Sequence, residues 1–434
     1  MTTGRMSWGC LLALLGLTAC GEDEPWMVGA GGAGTEDRAG SAGFPFPQNR
    51  ESEFCVLPET IDNARVRQAY DKWKDELVTA YGASGFRRVM RPDTPDGIDF
   101  STVSEGIAYG MLLAVYLDDQ ALFDDLWQYA RLWADDSGLM NWYVDPHGQT
   151  ACPERSSCGA ATDADEDMAF ALVMADRQWG GRGSLDRPYA EHALEHIGRV
   201  LEHEVVRQSD PLLGGLPLAV LRPGNAWGGY THLNISYFAP AFYRVFAEVD
   251  TEHADEWHAL VDGCYTIIER TISDENGNIA TGLLPAWSKG NGTLVTDGSA
   301  THHQYDSARI PFRIGQDYCW HGDPRAKQYL DRITEFFVNE SAAGIYDGYD
   351  LDGTPHPDEH ASGRPSRSAV FVGSAAVGGM SDTAHADFVQ EARDRIATLE
   401  LLERSRYYNL SWTAMSLAML SGNYWPLPGS DPED

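Results

Sequence analysis

Three short stretches of this 434-residue chain put acidic side chains directly ahead of apolar sequence: Ser104-Glu105-Gly106, Asp163-Ala164-Asp165 and Tyr305-Asp306-Ser307-Ala308-Arg309. Taken singly, a carboxylate at such a place is an ordinary helix cap, or a first-turn anion favoured by the macrodipole. Three of them, each opening an apolar segment, point instead to a shared cleft. Paired carboxyls across a cleft are the equipment for breaking a glycosidic bond. One stays protonated and donates to the leaving oxygen, while the other is ionised and activates water or attacks carbon. Gly106 leaves room for another chain or a ligand to approach Glu105 closely.

Competing chemistries are weaker. Asp350-x-Asp352-Gly353 with Glu359 imitates part of a calcium loop, but Gly348 stands at the first-ligand place. His302-His303 lacks the i, i+4 spacing and the further ligands of a metal site. The chain has no phosphate-binding glycine loop, Gly-x-Ser-x-Gly elbow or His-Glu-x-x-His helix. Neither a metal nor a cofactor is expected.

Helices must position these residues. One-sided apolar stripes with charged backs run through 119–134 (Leu122, Phe123, Leu126, Trp127, Ala130) and 323–339 (Tyr329, Leu330, Ile333, Phe336, Phe337). That spacing predicts half-solvated outer helices. Similar segments lie near 61–80, 185–206, 252–272 and 383–400. Between them fall 105–117, 165–178, 237–249, 306–319, 367–380 and 407–421, apolar or small all round, as helices buried on every side must be. Six amphipathic helices alternating with six buried ones suggest two concentric rings, an all-α (α/α)6 barrel. A helical-repeat solenoid is the rival, and no sequence repeat supports it. Strand-like runs are short and confined to loops. In such a barrel the loops at the N-terminal ends of the inner helices form one concave face, and the three acidic starts gather there.

These residues resemble a known family. Ala161-Thr162-Asp163-Ala164-Asp165-Glu166-Asp167-Met168-Ala169-Phe170-Ala171-Leu172, continuing through Ala175 to Trp179, looks like the signature of glycoside hydrolase family 8. Ser104-Glu105-Gly106 with Tyr109-Gly110-Met111 resembles its general-acid motif. Tyr305-Asp306 with Arg309, Pro311 and Arg313 resembles the segment bearing its general base. Asn234, Ser236, Tyr237, Phe238, Ala239 and Pro240 match a further block, with Ile235 where proline is usual. The resemblance spans roughly residues 60–427. It implies an (α/α)6 barrel and an inverting β-glycanase with Glu105 as general acid and Asp306 as general base. Asp163 would hold the sugar at the cleavage point in a distorted ring. Tyr305 and Arg309 would support the base and the nucleophilic water, Arg309 by keeping Asp306 ionised. An aspartate at position 306 favours the branch of endoglucanases and xylanases over that of lichenases and chitosanases. The residues around Glu105 and Asp163 look more like cellulose-type endoglucanases. An endo-xylanase or a reducing-end xylose-releasing exo-oligoxylanase is the alternative in chemistry. The alternative of another class is a non-catalytic glycan-binding lipoprotein, whose mark would be loss of Glu105 or Asp306.

A polysaccharide cleft also needs aromatic faces in loops. Trp142, Trp227 and Trp287 sit in polar or glycine-rich connections, and Tyr407 and Tyr408 start the last buried helix and resemble family positions. Trp142, Trp227, Tyr407 and Tyr408 are the expected sugar contacts. Trp127, Trp133 and Trp179 lie on helical stripes and belong to the core.

Charge limits the partners. With 32 Lys+Arg against 65 Asp+Glu, the net charge of −33 excludes nucleic acid and anionic lipid surfaces as binding partners. Residues 1–20 have the layout of an export signal ending in Leu17-Thr18-Ala19-Cys20, which resembles the bacterial lipobox. A lipid on Cys20 would anchor the protein at the outer membrane or cell surface, the only membrane contact expected. Residues 21–54, rich in glycine and ending near Phe-Pro-Phe-Pro, read as a flexible tether. The catalytic domain is expected over 55–428 and an acidic tail over 429–434, acting as a monomer on a β-glucan. Cys152 and Cys158 bracket a short loop and are the expected disulfide, leaving Cys55, Cys264 and Cys319 unassigned.

Overall fold

The computed structural model describes residues 43–94, 98–152, 158–356, 368–398 and 406–429. The expected export signal, Cys20, the first part of the tether, Glu359 and nearly all of the acidic tail lie outside them. Twelve α-helices occur among the described residues: α1 Asn63–Leu77, α2 Ser104–Tyr116, α3 Gln120–Leu132, α4 Thr162–Trp179, α5 Tyr189–Glu204, α6 Pro240–Val249, α7 Ala254–Thr271, α8 Ile310–His321, α9 Pro324–Glu340, α10 Ala369–Gly379, α11 Ala386–Ile396 and α12 Arg406–Leu420. They match the twelve expected segments in order and alternation.

The even-numbered helices form the inner ring. α2 packs on α4, α4 on α6, α6 on α8, α8 on α10 and α10 on α12, and α12 closes the ring against α2. Each odd-numbered helix covers it from outside: α1 on α12, α3 on α2, α5 on α4, α7 on α6, α9 on α8 and α11 on α10. This is the (α/α)6 barrel. Close approach depends on small residues. A Cβ at Gly110 of α2 would stand 2.6 Å from Leu126 and 3.1 Å from Trp73, on the two outer helices flanking α2. Inside the ring Phe170 stacks on Phe242 at 3.9 Å, with Trp320 at 5.7 Å from Phe170. Two charged groups are buried with them as a pair, Arg313 donating to Asp167 at 2.6 and 2.9 Å.

Side-chain caps occur on three outer helices, while the outer helices α5, α7 and α11 have none. Outer helices α1, α3 and α9 begin at Asp62, Asp119 and Asp323, whose side chains accept a first-turn N–H. Inner helices α2, α4, α6, α8 and α10 have no side-chain cap. Their positive ends converge on the face that carries the acidic residues, and at α10 the first N–H, that of Ala369, goes to Asn409 Oδ1 at 2.6 Å. Among the described residues, four antiparallel strand pairs trim the loops. Thr102–Val103 pairs with Tyr143–Val144 immediately ahead of Glu105, and Leu233–Asn234 pairs with Trp287–Ser288.

The end of the expected tether is not free. Residues 43–56 cross the other end of the barrel, where the inner helices finish. Gly43 N–H donates to Gln178 O, Arg50 N–H to Gly422 O, the Ser52 hydroxyl to Cys319 O and Val56 N–H to Met380 O. Phe44 and Phe46 pack on the core, and Arg67 lies over the Phe46 ring. The glycine and proline content suggested slack chain, but two phenylalanines give this strap an apolar face to bury. Cys55 bonds to Cys319 at the end of α8, 264 residues away. Cys152 bonds to Cys158, and Cys264 is a buried free thiol.

Candidate active site

Every expected polar site residue lies at the N-terminal end of an inner helix or in the loop before it. Glu105 is in the first turn of α2, Asp163 in that of α4 and Tyr407 in that of α12, while Arg309 closes the 3-10 turn that leads into α8. Arg309 joins them. Its Nη1 donates to Glu105 Oε2 at 2.7 Å, to Asp163 Oδ2 at 2.8 Å and to the Tyr109 hydroxyl at 3.2 Å. Its Nη2 donates to the Ser236 hydroxyl at 3.0 Å, and its guanidinium lies 5.3 Å from the centre of the Tyr237 ring. Tyr407 donates to Glu105 Oε1 at 2.8 Å. Gly106 permits this, since a Cβ there would stand 3.0 Å from the Tyr407 ring.

Arg309 does not act as expected toward Asp306. Its Nε meets the backbone carbonyl of Asp306 at 3.2 Å, while its charge is spent on Glu105 and Asp163. The side chain facing the Asp306 carboxylate is Asn234, whose Nδ2 lies 3.5 Å from Oδ2. Tyr305 also looks elsewhere. Its hydroxyl lies 3.2 Å from Asp347 Oδ2 and 2.9 Å from the Ser368 hydroxyl at the start of α10. Tyr408 donates to the Tyr305 carbonyl at 3.3 Å, which fixes the backbone next to Asp306. Residue order along the chain carried the right cluster but the wrong partner, because a guanidinium reaches across the ring as easily as along it.

One cation facing several carboxyls has an electrostatic consequence. Burial pushes the Glu105 carboxyl up to about 7; Arg309 opposes this, Asp163 adds to it, Tyr407 opposes it and Asp306 adds to it. A carboxyl titrating there is protonated in slightly acidic solution and is a competent acid. Asp306 acts in the same field as Glu105, Asp163 and Arg309, since the charges of all four bear on the Tyr237 and Tyr408 phenols. Both phenols are driven far up by burial and stay neutral.

Asn234, Ser236, Tyr109 and Asp347 were not among the expected site residues. Asn234 and Ser236 fall in a matched family block, and Tyr109 stands four residues after Glu105 on the same helical face. Asp347 sits in a loop with no periodic signal. Ile235 is buried in the 3-10 turn Ile235–Tyr237, where Asn234 still accepts the Ser236 N–H, so the departure from proline leaves the cap intact.

The aromatic candidates line the loops. The Trp142 carbonyl accepts the Ser104 N–H, which places Trp142 beside the start of α2. Trp227 is 41 % exposed and lies 5.5 Å from Trp287, with His232 4.8 Å from Trp287. This gives an open aromatic platform of the kind a pyranose ring covers. His303 is fully buried against the Leu284 carbonyl, and burial lowers it to about 4, so it is a neutral structural residue. No group of three or more His, Cys, Asp or Glu among the described residues has the arrangement of a metal site. No described helix is long and apolar enough to cross a membrane.

The model of glycosyl hydrolases family 8 matches residues 46–421. Endoglucanase A of Acetivibrio thermocellus is 36 % identical over 397 residues, which cover 90 % of this chain and 76 % of that one. Endoglucanase 2 of Ruminiclostridium josui is 34 % identical, covering 88 % and 77 %. Among solved structures, a beta-1,3-1,4-glucanase from Paenibacillus sp. X4 superposes with a TM-score of 0.72 at 25 % identity, over 88 % of this chain and 99 % of the other.

Proposed function

The chain belongs to glycoside hydrolase family 8, and on that premise we propose that it cleaves internal β-1,4 bonds of a glucan with inversion, as a cellulose-type endoglucanase. The observation that carries this reading is the junction of Glu105, Asp163 and Arg309 at the mouth of the barrel, with Asp306 in the same field. In the proposed reaction Glu105 gives its proton to the leaving oxygen as the C–O bond breaks. Asp306 takes a proton from the water that forms the new C–O bond from the opposite face. Asp163 holds the sugar between them. Arg309 holds Asp163 and Glu105, Tyr407 orients Glu105, and Tyr305 and Tyr408 order the backbone at Asp306. Trp142 and Trp227 stack on neighbouring sugars. No cofactor takes part.

Side-by-side digestion of carboxymethylcellulose, lichenan, xylan and chitosan tests the substrate. Oligosaccharides from the two glucans are expected, with the first-formed reducing end in the α configuration by proton NMR. A β product would overturn inversion. Release of single xylose units from xylo-oligosaccharides would establish the exo-oligoxylanase alternative, and binding without products would establish the glycan-binding one.

We also propose that Cys20, outside the described residues, carries the lipid that holds a monomeric enzyme at the outer membrane or surface of a bacterium. The support is Leu17-Thr18-Ala19-Cys20. Cys20→Ser is expected to move the protein from the membrane fraction to the soluble one. Equal partition of the two forms would refute the anchor.

A further inference from the structure

A second set of carboxyls lies behind the site, and the acid and base assignments leave it unused. Asp165 is in the first turn of α4, two residues beyond Asp163, and Glu204 is the last residue of α5. Both are 0 % exposed. Their side chains lie against each other, and among the described residues none of the four carboxyl oxygens receives a hydrogen bond. Among the described residues the hydroxyl beside them is that of Thr162, whose hydrogen goes to the Arg222 carbonyl at 2.8 Å. His196 Nε2 is 3.8 Å from Asp165 Oδ1, beyond hydrogen-bond range, and burial lowers this imidazole to about 4, so it is neutral. Two carboxylates buried without a donor cannot both be ionised, so at least one of them holds a proton, and the other is the acceptor at hand for it.

We infer that Asp165 and Glu204 form a proton-sharing carboxyl pair that positions Asp163 by locking the first turn of α4 to the end of α5. The backbone shows how. Thr162 N–H donates to Pro223 O at 3.3 Å and its hydroxyl to Arg222 O, while Arg222 N–H donates to Glu204 O at 2.8 Å. The α4 turn, the Arg222–Pro223 segment and Glu204 therefore form a triangle, and the carboxyl pair is its third side. Asp163, inside that turn, keeps Oδ1 on the Ala164 N–H at 3.0 Å and Oδ2 on Arg309 at 2.8 Å. Releasing the third side lets the turn rotate and takes Asp163 off Arg309.

The charged groups facing the pair are Asp163 on α4, Asp135 after α3, Arg222 on the adjoining strand end, and Arg199 behind His196 on α5. Burial is the leading cause that pushes Glu204 up to about 8. The folded chain keeps a proton that the unfolded chain gives up in the ordinary carboxylate range. Stability from this group is therefore complete at low pH and is lost as pH rises through about 8.

Three measurements test the pair. Glu204→Gln keeps the shape and brings amide hydrogens, so its Tm between about pH 5 and 9 should fall less steeply than that of the parent, the remaining slope coming from the other buried carboxyls such as Glu105. An unchanged slope overturns the shared proton. The infrared difference between the parent and the Asp165→Asn/Glu204→Gln double variant at neutral pH should contain the C=O band of a protonated carboxyl, and its absence overturns it equally. Glu204→Leu should lower kcat about tenfold or more with KM changed less than about threefold, and Glu204→Gln should restore kcat. Parent-like kcat in Glu204→Leu overturns the positioning role. If Glu204→Leu does not accumulate, Thr162→Val cuts another side of the triangle with the same expected and overturning results. The kinetic arm rests on the proposed role of Asp163, whereas the Tm and infrared arms need no substrate. An inactive parent would thus sink the proposed function and leave the proton pair standing.

Discussion

Glu105→Gln is expected to lower kcat on a β-1,4-glucan by about 10²–10⁴-fold, the range for loss of a positioned general acid. The substitution preserves size, and its amide oxygen can still accept from Arg309, so Tm should stay close to the parent value. Two further readouts separate an acid from a structural residue. A glycosyl fluoride, or an aryl glycoside with an acidic phenol, departs without a proton, and on such substrates the variant should recover most of its activity. The parent should lose kcat/KM as pH rises above about 7, where Glu105 gives up its proton, and that limb should vanish from the variant. Parent-like hydrolysis of the glucan by Glu105→Gln would refute the assignment.

Asp306→Asn is expected to cost about as much, roughly 10²–10⁴-fold in kcat, for the opposite reason. The water loses the group that takes its proton, and a better leaving group cannot replace that step. Activated substrates should therefore not rescue this variant. Azide should, because an anion needs no deprotonation to attack, and the product would be the α-glycosyl azide. KM should move only a few-fold, since Arg309, Asp163 and the aromatic loops remain. Rescue by an activated leaving group would reverse the roles of the two residues.

The barrel was legible because burial writes itself into helices. A stripe of Leu122, Leu126 and Ala130 can only be an outer helix, and the all-apolar run of α10 can only be an inner one. The carboxyls at 105, 163 and 306 were legible for a related reason, since polar residues ahead of a buried helix must serve the helix or the cleft. What stayed hidden were contacts made across the ring. Nothing local to Arg309 says that its charge goes to Glu105 and Asp163 and not to Asp306, three residues away. The Cys55–Cys319 bond closes over 264 residues and leaves no spacing to read. Residues 43–54 were misjudged because composition weighs glycine and proline, while two phenylalanines decide where the strand lies. The pairing of Asp165 with Glu204 likewise depends on where α5 ends, which a periodic pattern fixes only to within a turn.

The strap enters the fold at Gly43, beside the end of α4, and stays on the ends of the inner helices until Val56. The carboxyls open at their beginnings. A resin or an affinity label coupled at Gly43 itself would thus be attached at the end of the barrel opposite the carboxyls. Coupling at the other end of the ring, through the loops that carry Trp142 or Trp227, is expected under the proposed function to lower activity on an insoluble glucan.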